Sequence, residues 1–236
     1  MLGASGAGKS IVLKLLLGLL RPDAGTIVVN GQRIDHVPER DLLRIRGDIG
    51  MLFQEGALFD SLTVAENVGY RLFEETDTPL DDVRRRAAEV LGFVGLGEYI
   101  NRMPSELPEG QRRRLAIARA MASSPHLLLF DDPTMGLDPI TAATVDDEIV
   151  KLRDLEHNTL IVVTHQIRVA YYIASRQAVR ESDRVQIVHA HGRTADKSTF
   201  MVLQEGRIQF EGSGAELLES RDVYLCEFLS RTLPPW

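Results

Sequence analysis

The chain has 236 residues, of which 44% are hydrophobic and 26% charged, the balance of an ordinary globular protein with one large or two small domains. Its 34 acidic residues outnumber 27 basic ones, and the net charge of -7 argues against broad nucleic-acid binding, which shows a basic excess or stripe. The single cysteine, Cys226, excludes an internal disulfide framework and fits a reducing compartment. Within YLCEFL it is expected to be a small buried side chain. No apolar run approaches the roughly 20 residues that span a bilayer; the stretch Leu13–Leu20 is broken by Lys14 and Gly18. No charged segment leading into a clean apolar run marks a signal peptide. Work at a membrane would therefore require recruitment by a partner.

In chain order, GASGAGKS at residues 3–10 comes first, followed by an apolar helix KSIVLKLLLGLL that RPDAG breaks. TIVVNG reads as a short strand ending in an Asn-Gly turn. RIDHVPERDLLRIRGD is a connector with a short helix, and IGMLF an apolar strand entering the polar loop QEGALFDS. LTVAENV opens a helix in which Thr63 and Glu66 have capping-box spacing. Residues 79–94 form an amphipathic helix with Val83, Ala87, Val90, Leu91 and Val94 on one face; Arg84, Arg85 and Arg86 read as mostly solvated. LPEGQRRRLAIARAMA is a further helix with Leu115, Ala118 and Ala122 on one side. HLLLFDDP and NTLIVVTH are unbroken apolar strands, as in a parallel sheet buried on both faces, with a helix at 139–156 between them. After a helix QIRVAYYIAS comes a polar insert at about 176–198, then a hairpin turning on Glu205-Gly206 and one or two short helices. The order implies an α/β core with a mainly parallel sheet and a helical subdomain at about 63–123.

GASGAGKS matches the phosphate-binding pattern G-x-x-x-x-G-K-[ST]. The backbone N–H groups of Gly3, Ala4, Ser5, Gly6, Ala7 and Gly8 would wrap phosphates at the positive end of a helix. Lys9 would reach the β- and γ-phosphates of ATP and Ser10 would ligate Mg2+. In LLLFDD, Asp131 stands at a strand's C-terminal end where a carboxylate holds Mg2+, and Asp132 follows, placed to polarise an attacking water. His165 ends the next strand.

The set GASGAGKS, Gln54 after an apolar strand, LPEGQ, LLLFDD, MGLD and His165 resembles the ATPase domain of ABC transporters, in the same order and over nearly the whole chain. The resemblance implies a P-loop NTPase core with an ABC-type helical subdomain, a single domain over 1–236, and ATP and Mg2+ as cofactors. It implies a head-to-tail dimer, or pairing with a second ABC ATPase, in which the loop of one copy faces LPEGQ, with Gly110 and Gln111, of the other. Gln54 would contact Mg2+ and sense an integral-membrane permease docking near its loop and the helical subdomain. Asp138 would link the two sites, and His165 would hold the γ-phosphate. Asp138 also precedes Pro139 as a helix N-cap. The protein would sit in the cytoplasm, peripheral on the inner face of the membrane, without inserting. MLFQEGALFDSLTVAENV and DPITA resemble the ATPases of Mla/Mce lipid importers, which suggests lipid as the cargo. Ala57, Leu58, Phe59 and Leu62 form an apolar patch suited to a short partner helix.

Four features depart from the family pattern. The glutamate after the strand aspartate is Asp132, one methylene shorter, which predicts slow hydrolysis. L-S-G-G-Q is L-P-E-G-Q: Pro108 lacks a hydroxyl and an N–H, and Glu109 places negative charge toward phosphate, although a proline at N1 and an acid in the first turn suit a helix start. The family's strands and adenine-stacking aromatic before the loop have no counterpart, so the chain reads as starting inside a strand. The insert at 176–198 exceeds the usual link and reads as a solvated hairpin or loop. The leading function is the ATP-hydrolysing subunit of a transporter. The competing functions are a weakly active or inactive regulatory subunit and a soluble non-transport ABC ATPase.

Overall fold

The computed structural model describes residues 1–54, 56–181, 184–190 and 198–232. In chain order the elements are β1 (Leu2–Gly3), α1 (Lys9–Leu16), β2 (Val28–Val29), β3 (Gln32–Arg33), α2 (Glu39–Gly47), β4 (Ile49–Leu52), α3 (Val64–Glu75), α4 (Leu80–Phe93), α5 (Glu109–Met121), β5 (Leu127–Asp131), α6 (Pro139–Leu155), β6 (Thr159–Val163), α7 (Ile167–Ser175), β7 (Arg176–Glu181), β8 (Arg184–His189), β9 (Phe200–Gln204), β10 (Arg207–Gly212), α8 (Gly214–Glu219) and α9 (Val223–Thr232). The chain divides into two compact units: Met1–Leu42, Ile149–His157 and Ile161–Trp236 in the first, Leu43–Glu148 and Asn158–Leu160 in the second. No helix among the described residues is long and apolar enough to cross a membrane.

In the first unit, β1 lies parallel to β9, with Leu2 opposite Val202 and Gly3 opposite Leu203. Leu2 also bridges Thr164 in parallel. β9 returns antiparallel into β10; Glu205 and Gly206 at the turn have φ of 48° and 77°, the paired left-handed conformation a two-residue hairpin needs. Leu2, Ile167, Phe200, Val202, Leu217, Leu225, Phe228 and Leu229 form the core here. Tyr171 packs on Phe200 with ring centroids 4.9 Å apart and donates its hydroxyl to Gly214 O; burial pushes its pKa up to about 12. Cys226 is exposed, with Sγ on Ser220 O at 3.3 Å. The expectation of a buried thiol fails because α9 turns Leu225, Phe228 and Leu229 inward instead.

Helix α1 stops at Leu16, earlier than the apolar run suggests. Gly18 adopts φ 64° and the Leu19 N–H closes on Lys14 O at 2.8 Å, a glycine-terminated end. The insert begins with a hairpin, β7 against β8, paired from Arg176↔His189 to Glu181↔Arg184. Its root is anchored by Asp154, which accepts the Ala178 N–H at 2.8 Å, and by Arg153, which pairs with Asp154 at 2.8 Å and donates to Ile173 O. Residues 182–183 and 191–197 of the insert lie outside the described residues.

In the second unit, β4 and β5 pair in parallel from Ile49↔Leu127 to Leu52↔Phe130, and Leu127, Leu128, Leu129 and Phe130 are all buried. Gly50 is required there: a Cβ would run into the Ala120 carbonyl and lie 2.5 Å from Leu128 Cδ2. Helices α3, α4 and α5 follow β4 in this unit. The Thr63–Glu66 capping box forms, and buried Asn67 donates to Phe59 O, Leu62 O and Thr63 O while accepting the Phe59 N–H at 2.8 Å. The α4 face Val83, Ala87, Val90, Leu91 and Val94 is buried as patterned. Arg84 and Arg85 are solvated, with 71% and 77% side-chain exposure, but Arg86 is not. Its guanidinium donates to Ala122 O at 3.1 Å, Met121 O at 3.3 Å and Ser124 Oγ at 2.9 Å, capping the carbonyl end of α5.

Asp146 on α6 is 5% exposed, and its Oδ1 has no hydrogen-bond partner. Burial, with Asp147 adding to it, pushes this carboxyl from 3.8 up to about 7. A raised acid pKa means the folded state holds the proton more tightly than the unfolded chain, so this group's contribution falls as pH rises from about 4 to about 7. Asp146→Asn removes that loss. The stability difference between variant and parent should shift in the variant's favour by about 2–3 kcal/mol between pH 5 and pH 8, read from urea unfolding at both; an unchanged difference contradicts it. Gly50→Ala should destabilise by at least about 2 kcal/mol in the same assay.

Candidate nucleotide-binding site

The predicted residues divide between the two units. The first holds the loop at 3–10 and His165. Residues 4–8 link β1 to α1, and Gly3, Gly6 and Gly8 have φ of 154°, 80° and 101°, backbone that glycine adopts at little cost; within the loop the Ala7 N–H donates to Ala4 O at 3.2 Å. Gly3 is fixed by close approach: an added Cβ would lie 2.6 Å from Leu203 O. The β9–β10 turn backs the loop, its Gly206 N–H donating to Ala7 O at 3.1 Å. Ala7 is buried, whereas Ala4, Ser5 and Gly6 are exposed.

Lys9 begins α1 and is 7% exposed. Its Nζ folds back onto the loop, donating to Gly3 O at 2.8 Å and Ala4 O at 2.9 Å. Gly8 caps α1 without a side-chain hydrogen bond, and no acid stands in the first turn, so the positive end of the helix carries no built-in anion. Ser10 is exposed in that turn. Thr164 donates its N–H to Met1 O at 3.1 Å, so the end of β6, with exposed His165 next in sequence, lies alongside the strand that enters the loop. The loop and His165 thus belong to one unit, with Thr164 bonded to the strand that enters the loop.

The second unit holds Gln54, Gly110, Gln111, Asp131, Asp132 and Asp138. Asp131 ends β5. Asp132 follows with φ 44°, a left-handed backbone that Asp tolerates better than most residues, and its carbonyl accepts the Met135 N–H at 3.1 Å. Gln54 is exposed at the end of β4 and donates Nε2 to Met135 Sδ at 3.0 Å. Asp138 is the N-cap of α6: Oδ1 accepts the N–H groups of Ile140 and Thr141, both at 3.1 Å, and the Thr141 side chain and these amides hold its carboxyl below the usual range. Pro108 sits at the N-cap of α5, one position before the expected N1, with Glu109 in the first turn. Gln111 Oε1 is buried without a hydrogen-bond partner.

Two functional candidates escape the sequence reading. Arg113 is buried and donates to Gln54 O and, at 3.4 Å, to Met135 O; burial lowers its pKa, against the opposing pull of Glu109. Arg119 donates to Ala57 O and lies over the Phe59 ring at 4.2 Å, with Tyr70 against the same ring at 4.4 Å. The apolar patch expected at 57–62 is therefore partly covered by its own helices. Arg113 stands in the run Arg112–Arg114, and its burial shows only through partners distant in sequence.

A glycine-rich loop between a strand and a helix, in an α/β framework with parallel strand pairs, defines a P-loop nucleotide-binding protein. A model described as ABC transporter matches residues 1–135. The chain is 42% identical over 186 residues to the methionine import ATP-binding protein MetN of Bifidobacterium longum, covering 78% of this chain and 46% of that protein. It is 39% identical over 170 residues to the probable ribonucleotide transport ATP-binding protein mkl of Mycobacterium tuberculosis, covering 72% and 47%. Among solved structures it resembles the dimeric, post-hydrolysis ATP-binding cassette MJ0796 bound to ADP and Pi, at 30% identity and a TM-score of 0.71 over 90% of this chain and 83% of that one. It also resembles cbiO1 from Clostridium perfringens, part of the ABC transporter complex cbiONQ, at 25% identity and a TM-score of 0.76 over 97% and 82%. The chain belongs to the ABC transporter family. It spans about half the length of the curated relatives it matches, 46%, 55% and 54% of three of them.

Gly110 fits only as glycine, because a Cβ there would overlap Thr141 Cγ2. Gly110→Ala should lower stability by about 1–3 kcal/mol, and adding Thr141→Ser, which deletes the overlapping methyl, should restore most of it; thermal melting of the single and double variants decides, and equal losses in both would contradict the contact.

Proposed function

We propose that this chain is the ATP-binding and ATP-hydrolysing subunit of an ABC transporter. The observation that carries the reading is the loop at 3–10: left-handed glycines, buried Lys9 and an uncapped helix start make a grip for phosphate oxygens. The backbone of Gly3, Ala4, Ser5, Gly6, Ala7 and Gly8 supplies donors, Ala7 by giving up its bond to Ala4 O, and Lys9 exchanges its bonds to the Gly3 and Ala4 carbonyls for the β- and γ-phosphates. Ser10, Gln54 and Asp131 are oxygen donors of the hard type that Mg2+ takes; when bound, the ion neutralises phosphate charge. Asp132 accepts the proton of the attacking water, and His165 contacts the γ-phosphate.

Gly110, Gln111 and Asp138 serve nucleotide across a head-to-tail dimer or a pair with a second ABC ATPase. A permease docks near the Gln54 loop and α3–α5, keeping the subunit peripheral on the cytoplasmic face. The relatives named above are described by methionine import and ribonucleotide transport, so the lipid cargo suggested by residues 51–68 and by DPITA gains no support from them and rests on that local likeness alone. A second reading, a regulatory subunit with little turnover, draws on the short Asp132 carboxylate and on Pro108 and Glu109 in the LPEGQ segment.

The two readings separate in one experiment. Lys9→Ala should weaken ATP binding by at least roughly tenfold, while Asp132→Asn should bind ATP like the parent and lose turnover. Phosphate release and fluorescent-nucleotide titration on the purified chain measure both. If Asp132→Asn hydrolyses as fast as the parent, Asp132 is not the base; a parent that binds without hydrolysing supports the regulatory reading.

A further inference from the structure

Two arginines of α5, Arg113 and Arg119, reach two loops of the second unit. Arg113 is 7% exposed, and a guanidinium withdrawn from water requires acceptors for its N–H groups. Nη1 donates to Gln54 O and Nη2 to Met135 O at 3.4 Å. Met135 is held from two further sides: its N–H donates to Asp132 O at 3.1 Å, and its Sδ accepts Gln54 Nε2 at 3.0 Å. Gln54, Met135 and Arg113 thus close a ring of contacts, and Asp132 is joined to it through one backbone bond. Farther along the same helix, Arg119 donates to Ala57 O and covers the Phe59 ring at 4.2 Å. Ala57 has φ 48°, a conformation that persists in a residue with a Cβ only where its surroundings hold it.

We infer that Arg113 is a positioning residue: its buried guanidinium ties the Gln54 loop and the loop after Asp132 to α5, with Arg119 as a second anchor of the Gln54 loop. The placement of the Gln54 amide relative to Asp132 is then set by the helix that begins at Glu109 and Gly110. A displacement of that helix start carries both groups with it. An arginine suits this task because its planar fork offers two diverging donors to two carbonyls, whereas a lysine ammonium is a point charge. The inference rests on the reading of Gln54 and Asp132 as groups that act on nucleotide-bound Mg2+ and on water.

The test uses Arg113→Met and Arg113→Lys in the full chain. Amide hydrogen exchange without nucleotide reports on the loops directly. In Arg113→Met, exchange over residues 53–54, 56–59 and 134–137 should rise roughly tenfold, with the first unit unchanged; Arg113→Lys should fall between parent and Met. With ATP, the Mg2+ concentration for half-maximal turnover should rise roughly tenfold, while metal-free nucleotide affinity changes less than about twofold. Exchange equal to the parent's overturns the inference, as does a uniform rise across the chain, which marks a merely structural arginine. If Arg113→Met does not fold, the lysine variant carries the comparison. If the parent shows no turnover, the hydrolysis reading fails, and the exchange data still decide whether Arg113 holds the loops.

Discussion

The phosphate loop depends on one close backbone approach. Gly3 passes so near Leu203 O that a Cβ would lie 2.6 Å from it, and that contact is possible because β1 pairs in parallel with β9 at Leu2↔Val202 and Gly3↔Leu203. Leu2 has no exposed surface and belongs to the same cluster as Val202 and Phe200, so hydrophobic burial holds the strand that aims the loop. The hairpin turn after β9 then supplies the Gly206 N–H to Ala7 O. Loop geometry, turn geometry and core packing are one construction: the turn residues Glu205 and Gly206 take left-handed φ, which closes β10 onto β9 at Gln204↔Arg207 behind the loop, before the pairing shifts between Ile208 and Phe210.

The second unit is organised around α5. Its carbonyl end meets Gly50 of β4 and is capped by Arg86 from α4. Its amino end meets Thr141 of α6 through Gly110, and its middle holds the Gln54 loop. Each contact uses either the smallest side chain or the longest cation. Glycine permits backbone-level approach where elements touch, and arginine reaches carbonyls where they do not. Such a helix is a rigid body with several neighbours, the arrangement through which a shift at one end is felt at the others.

Much of this was legible in the sequence. The loop, the apolar strands and the amphipathic α4 follow from local spacing, and the capping box at Thr63–Glu66 is a local contract between residues three apart. What was not legible depends on long-range packing. Arg86 and Arg113 look like neighbours in charge runs, but their hydrogen-bond partners stand 36 and 59 residues away, and no periodicity marks a buried guanidinium. Composition favours burial for Cys226, but the face of a short helix is decided by its neighbours Leu225 and Phe228. The end of α1 is hidden in the sequence because leucines continue past Gly18, and the left-handed glycine outweighs them.

Asp132 joins the sequence anomaly to the structural one. It is the position where the family resemblance leads one to expect glutamate, and it carries φ 44° immediately before Pro133, where a proline normally pushes the preceding residue toward extended backbone. A left-handed non-glycine residue costs of order 1–3 kcal/mol unless its surroundings over-determine it. Here the Asp132 carbonyl is fixed by the Met135 N–H, and Met135 by Arg113. Asp is among the residues that accept this conformation most readily, because its short side chain bonds locally. The carboxylate, one methylene shorter than glutamate's, fits the backbone on which it stands. The aspartate that departs from the family pattern is thus the residue a well-held left-handed turn favours.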